Sequence, residues 1–499
     1  MPDYDVIVIG AGCGGLSAAA LLAKQGRRVL VLEQSNRIGG CCSTFERDGY
    51  QFDVGASIVE VIRPIERVFE KLGTRFQDEV DLIPCDPIMS IIARDGRRIT
   101  YPLSIEGTAE VIRQISPQEV AGWYAFVEYM SELMDVALDT FFIMPCNSMG
   151  DLLEMAKKNP RLLKFAPAFV SSYQNLVQRF FKHERILETL GYQSLYIGYP
   201  PALVPGVYAM IPYSEHRGIF YPRGGMVQIP EALRRCGAAY GMETRLNALV
   251  QQVMVSNGRV QGVRLADGSE LTAPVVVSNI NAKTLYLKLI GQEHLPAIVA
   301  EGVKSYRYSK AVPMIYLGLD YSPPLDSHHS LIGVTPEGVN RYWWDHVERG
   351  RLMEENIGLI CWPTHSDPSL APDGHHVLNL IPEGFYHLTG TDWDQEKPGF
   401  VERTLDYLSR FAVPGLKDHV QTVACETPLD FERHLLLPEG AIYCLQQDLT
   451  AMAMFRPAAR SKAVQGLYLT GSSTHPGGGV PTTIASGYIT AGLIERHEG

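Results

Sequence analysis

Asp5-Val6-Ile7-Val8-Ile9-Gly10-Ala11-Gly12-Cys13-Gly14-Gly15 decides the fold: a run of β-branched residues enters a glycine-rich turn where the helical pattern Leu16–Lys24 begins. Gly10 permits the tight turn, Gly12 lets backbone approach a pyrophosphate, and Gly15 allows the helix to lie close on the strand. The phosphates would sit on free helix N–H groups. The next apolar run, Arg28-Val29-Leu30-Val31-Leu32, reads as a second parallel strand ending in Glu33, placed to accept hydrogen bonds from a ribose diol. Strand, turn, helix, strand and acid in this order define a dinucleotide site.

At 499 residues the chain exceeds one simple core, so two or more lobes are expected. A net charge of −11 gives no basic footprint, which argues against nucleic acid as the main partner and against membrane adhesion through net charge. Nine cysteines without a CxxC pair or a His/Cys cluster at metal spacing suggest neither a metal site nor a disulfide framework, and a reducing, cytoplasmic compartment is expected. Val6–Ala23 has the length and apolarity of a signal peptide, yet Asp3 and Asp5 precede it and its glycines belong to the turn, so export is not expected.

Farther along, Arg37-Ile38-Gly39-Gly40 suits another close approach of backbone to cofactor, and Phe52-Asp53-Val54-Gly55 reads as a short strand ending in a turn. Residues 83–98 alternate like strands around a turn at Asp95-Gly96, while 118–158 is helical in pattern and rich in Met and Phe, a composition read first as core packing. A helix is expected over Leu176–Tyr199, stopped by Pro200 and Pro201, and another over Val227–Tyr240. A meander with turns at Asn257-Gly258 and Asp267-Gly268 leads into the buried strand Val275–Asn279. Strands over 314–319, 358–362 and 376–381 follow, and the nucleotide-domain texture returns at Gly466–Gly471. The expected organisation is an α/β, Rossmann-type lobe from 1–80, 222–305 and 455–499, interleaved with an α+β substrate-binding lobe from 81–221 and 306–454.

These residues, with Tyr221-Pro222-Arg223-Gly224-Gly225-Met226, Asp367–Pro372, Gly374-His375-His376 and the closing run Leu467–Pro481, resemble the flavin-dependent phytoene desaturase and carotenoid isomerase family of the flavin amine oxidase superfamily. The likeness spans nearly the whole chain and implies FAD, not NAD. It implies that Gly10, Gly12, Gly15 and Glu33 hold the ADP half, that the backbone of Val250 meets adenine, and that Gly471, Ser472 and Val480 line the flavin end. Cys41-Cys42 stand where the family often has a basic residue, a feature similar to retinol saturase-like members, and Thr482–Ala485 departs from the commoner small-residue run. Neighbouring cysteines are too close for an unstrained disulfide, so both read as small packing residues beside the cofactor.

The family chemistry implies a long apolar isoprenoid or polyene substrate, by desaturation or cis-trans isomerisation, with quinone or oxygen as electron acceptor. A saturase, an amine oxidase, or a non-catalytic prenyl-chain carrier resembling GDP-dissociation inhibitors are the alternatives. His475 is the candidate acid or base by resemblance, with a loop-holding role as the structural alternative. His375-His376 read as a solvated or strand-end pair and not as metal ligands. So insoluble a substrate implies a peripheral membrane encounter, for which the apolar stretch Leu195–Met210 is the candidate surface, unless it forms a buried lid or core.

Overall fold

The computed structural model describes residues 1–93, 96–333, 338–355, 358–448 and 450–499. Strand β1 (Val6–Ile9), helix α1 (Cys13–Lys24) and strand β2 (Val29–Leu32) form as the opening stretch predicts. They join a five-stranded sheet in the order Glu243–Arg245, β2, β1, Val275–Ser278, Leu467–Leu469. All its pairings are parallel, with Val6 opposite both Val29 and Val275. A parallel sheet covered on both faces asks for continuous apolar runs, and every residue of β1, β2 and Val275–Ser278 is buried.

Small residues set the packing on one face. A Cβ at Gly487, in the C-terminal helix Val480–Glu498, would lie 2.6 Å from the Gly14 carbonyl oxygen and from Ser17 Cβ, so that helix lies tight against α1. On the other face Ile7, Ile9, Leu30 and Leu32 pack with Val253 and Val263 of the antiparallel meander Val250–Ser256, Arg259–Leu265, Glu270–Thr272.

A second sheet has seven strands in the order Val420–Glu426, Met314–Leu319, His376–Pro382, Gly358–Cys361, His329–Ile332, Met89–Ile92, Arg98–Tyr101. Its pairings are antiparallel except that of His329–Ile332 with Met89–Ile92. The helix Trp393–Phe411 covers it with Trp393, Phe400 and Leu408. Of the expected turn at Asp95-Gly96, Asp95 lies outside the described residues; the flanking strands pair as a hairpin, with Ala93 N–H donating to the Arg97 carbonyl.

Two helical expectations break into pieces. The pattern over 118–158 becomes Val120–Asp139 and Met149–Lys158, parted where Thr140 Oγ1 donates back to the Val136 carbonyl at 2.6 Å and Pro145 follows. Met130 and Met134 are buried core, whereas Met149 is exposed. The expected helix Leu176–Tyr199 is instead Tyr173–Val177, Glu184–Tyr192 and a tight turn Gln193–Ile197. Between the first two, the Glu119 carboxylate accepts the N–H groups of Lys182 and His183 at 2.9 and 2.8 Å, replacing helix hydrogen bonds with a side-chain anchor. The stretch Leu195–Met210 is not a docking surface: Leu195, Ile197, Tyr199, Val204 and Val207 are buried, most of them in the helical core with Phe126, Met130 and Phe165.

Candidate active site

Where the parallel strands end, four loops meet. Gly10 follows β1, Glu33 follows β2, Asn279 follows Val275–Ser278, and Gly471 follows Leu467–Leu469. The crevice beyond the carboxyl ends of such strands is where α/β sheets bind ligands. Here it opens into a cavity of about 510 Å³, within the range of small-molecule sites.

The glycines are required by contact as well as by conformation. A Cβ on Gly12 would stand 2.7 Å from Asn279 Nδ2, one on Gly14 2.8 Å from the Gly471 backbone, and one on Gly15 2.3 Å from the Gly10 carbonyl oxygen. Gly10, Gly39 and Gly471 also take positive φ of 94°, 101° and 80°. No side chain caps α1 at Gly12, so its first-turn N–H groups remain for an anion. Glu33 is only 9% exposed, and its two oxygens accept the N–H groups of Ala11 at 2.8 Å and Ser35 at 2.9 Å. Burial raises its pKa, and those backbone donors hold it partly down.

Gly10, Gly12, Glu33, Gly39, Gly40, Val250, Gly471, Ser472 and Val480 all line this one cavity; Gly15 does not, and serves the packing of α1 on β1. Cys41 and Cys42 line it as free thiols. The glycine cradle, the uncapped helix end and the carboxylate beside them fit FAD, whose ADP half these residues would hold and whose ring would reach Ser472 and Val480.

Three motifs prove to be one structural unit. Asp53 Oδ2 accepts the Tyr221 hydroxyl at 2.6 Å and Oδ1 accepts Met226 N–H at 2.8 Å, while Asp367 Oδ2 accepts Gly224 N–H at 2.7 Å. Two buried carboxylates thereby pin the Tyr221–Met226 turn from both sides. Burial lifts the Asp53 pKa to about 7. His375 meets the Tyr50 hydroxyl at 2.5 Å, and His376 opens a strand.

His475 stands apart from the cavity lining. Its Nε2 is 2.8 Å from the Phe141 carbonyl, its Nδ1 is buried without a partner, and burial lowers its pKa to about 4. This geometry favours the loop-holding alternative over the acid–base one: burial favours the neutral imidazole, which fixes the closing loop to the segment after Val120–Asp139. Arg456 fixes the same loop, donating to the carbonyls of Thr474 and Ser472.

Sequence reasoning missed Asn279 and the far wall altogether. On that wall Lys310 and Glu383 form a buried ion pair, and burial lowers the Lys310 pKa to about 7. Glu60, Tyr196 and His329 face the same cavity.

The family model for flavin-containing amine oxidoreductases matches residues 13–494. The chain is 31% identical to the lycopene-forming phytoene desaturase of Pseudescherichia vulneris over 98% of both chains. The chain belongs to the phytoene desaturase branch of this flavin-dependent family. It is 30% identical to the zeta-carotene-forming phytoene desaturase of Myxococcus xanthus over 96% of this chain and 92% of that one. Among solved structures, cyclohexylamine oxidase from Brevibacterium oxydans covers 100% of both chains at a TM-score of 0.63 and 17% identity. A Rab GDI from Plasmodium falciparum covers 98% of both at 0.54 and 13%. Those two likenesses bear on fold alone. Membership makes the protein an FAD-dependent oxidoreductase with the amine-oxidase-like fold, and the non-catalytic carrier alternative gives way.

Proposed function

We propose that this desaturase-family protein dehydrogenates a long, acyclic isoprenoid polyene, passing the electrons on to a quinone or to oxygen. FAD when bound supplies acceptance of a hydride from an unactivated carbon. The protein's part is to hold an apolar chain dry and in register. What supports the reading most is relatedness along the full chain to phytoene desaturases, in a molecule whose cavity continues from the nucleotide cradle to apolar side chains such as Val312, Met314, Leu359 and Ile381.

The substrate must be drawn from a bilayer, and among the described residues no helix is long and apolar enough to cross one. We place the peripheral contact on Met149–Val170. Met149, Leu153, Leu163 and Val170 are 59%, 59%, 69% and 79% exposed there. The segment carries Lys157, Lys158, Arg161 and Lys164 against Asp151 and Glu154, with Lys157 paired to Glu154 and Lys164 to Glu132, which leaves a local basic excess on a chain of net charge −11. An amphipathic face of this kind suits an anionic bilayer. Phe169, next to Val170, stacks on Phe141 at 4.9 Å, which ties the face to the loop held by His475.

The test is anaerobic mixing of the yellow holoenzyme with acyclic C30 and C40 polyenes. Loss of the oxidised flavin band with a matching gain of conjugated double bonds supports dehydrogenation; isomer redistribution by prereduced protein, with no acceptor consumed, would replace it by isomerisation.

A further inference from the structure

Glu60 and Glu215 are two carboxyl groups linked through Ser214, which precedes Glu215 in the chain and donates to Glu60, and neither has an ion-pair partner among the described residues. Glu60 lies on the cavity wall and accepts the Ser214 hydroxyl at 2.8 Å through Oε2. Glu215, 1% exposed, accepts Gln193 Nε2 at 2.6 Å. Behind it is a second cavity of about 30 Å³, lined by Glu215, Gln193, Thr189 and His216, which has room for a water. Gln193, which lines that space, is 2% exposed and its Oε1 has no partner. The Tyr196 hydroxyl, beside both carboxyls, is likewise buried without a partner.

Two buried like charges are disfavoured, so the two carboxyls are not both ionised at neutral pH. Burial raises Glu60 to about 7 and, with Glu60 beside it, raises Glu215 well above the ordinary range. Other titratable groups around the two carboxyls include Tyr196 and Tyr173, His216 across the small cavity, and, on the wall of the large cavity with Glu60, Tyr192, His329 and the Lys310–Glu383 ion pair.

We propose that Glu60 takes the proton released by dehydrogenation and that Glu215 passes it to water in the small cavity; this rests on the function proposed above. Making one double bond breaks two C–H bonds on neighbouring carbons. One hydrogen leaves with its electron pair to the flavin; the other leaves as a proton to the Glu60 carboxylate, and its bonding pair becomes the π bond. Glu215 then releases its own proton to water and receives that of Glu60, restoring the singly protonated pair. Glu60 is the catalytic residue here, and Glu215 acts through it.

Single-turnover mixing under anaerobic conditions, with a pH indicator and the flavin band followed together, tests this in the holoenzyme. Glu60→Gln should keep full flavin content and slow flavin reduction by polyene about 10²–10⁴-fold, the range for general base catalysis. Glu215→Gln removes the group through which the proton leaves, so proton release should lag behind flavin reduction, while the acid limb of the pH–rate profile, set by Glu60, should stay in place. Infrared spectra without substrate supply a readout independent of turnover: a protonated carboxyl band present in wild type at pH 8 should vanish in the double variant Glu60→Gln/Glu215→Gln. Glu60→Gln reducing its flavin within threefold of wild type, or an unchanged carboxyl band in the double variant, overturns the proposal while leaving the function standing. A wild-type holoenzyme that no polyene reduces overturns both.

Discussion

The two walls of the cavity are built on different principles. The nucleotide wall is backbone: Gly12, Gly14, Gly15 and Gly471 crowd around Asn279 at distances that leave no room for Cβ atoms, and Gly10 beside them is held at a positive φ. The opposite wall is side chain: Glu60, Tyr196, Lys310, His329 and Glu383 arrive from strands and turns scattered from residue 60 to residue 383. A backbone wall admits one residue type at each close contact and breaks when any is changed. A side-chain wall tolerates replacement of parts, so its effects should be graded.

The sharpest way to break the comparison is Gly12→Val. A branched side chain would meet Asn279 Nδ2, already 2.7 Å from a bare Cβ, where the pyrophosphate must come close. The purified variant should be colourless; full flavin occupancy would refute the cradle. Glu33→Ala on the same wall removes a charged acceptor, and flavin titration of the apoprotein should show affinity weakened by about 1.5–3 kcal/mol. Release of NAD and no FAD from the denatured wild type would contradict the assignment of the cofactor.

Outside both walls, His475 separates a structural account from a catalytic one. His475→Ala should retain near-normal turnover; a loss of about 10²–10⁴-fold at full flavin content would restore acid–base work. Its folded pKa of about 4 lies below the ordinary 6.5, so the unfolded chain binds the extra proton between those values. The stability His475 contributes is therefore complete above about pH 6.5 and is lost as pH falls toward 4. Thermal melts of wild type across that window should steepen relative to His475→Ala, and parallel curves would show that the ring titrates normally. The smallest effect belongs to the surface: Leu163→Asp with Val170→Asp should weaken flotation with anionic liposomes roughly tenfold, on the scale of partly buried apolar side chains. Unchanged flotation would move the contact elsewhere.

What could be read in the sequence follows the same division. The cradle was legible because close approach and positive φ restrict a position to glycine, and β1, β2 and Val275–Ser278 because a doubly covered parallel strand is apolar throughout. Asn279 carries no such restriction, and only its place at the end of a buried strand hinted at it. The far wall was illegible since Glu60, Lys310 and Glu383 have no mutual spacing; the fold alone brings them together. For His475 the sequence leaves acid–base and loop-holding roles open because its motif lies beside the flavin segment, and only the fold shows its ring turned to the Phe141 carbonyl. For Leu195–Met210 the sequence leaves a docking surface and a buried lid or core both open, because apolar content cannot distinguish a buried strap from an exposed face; the structure shows the buried one.

The central claim is that a flavin cradle and a hydrocarbon-handling wall share one cavity. Anaerobic titration of purified, FAD-replete protein with an acyclic C40 polyene in mixed micelles tests it most directly, followed by visible spectra and product analysis. The account predicts stoichiometric bleaching of the flavin band, one new double bond per flavin, and recovery of the band on adding quinone or oxygen. A band that stays unbleached by C30 and C40 polyenes but is bleached by simple amines would contradict it.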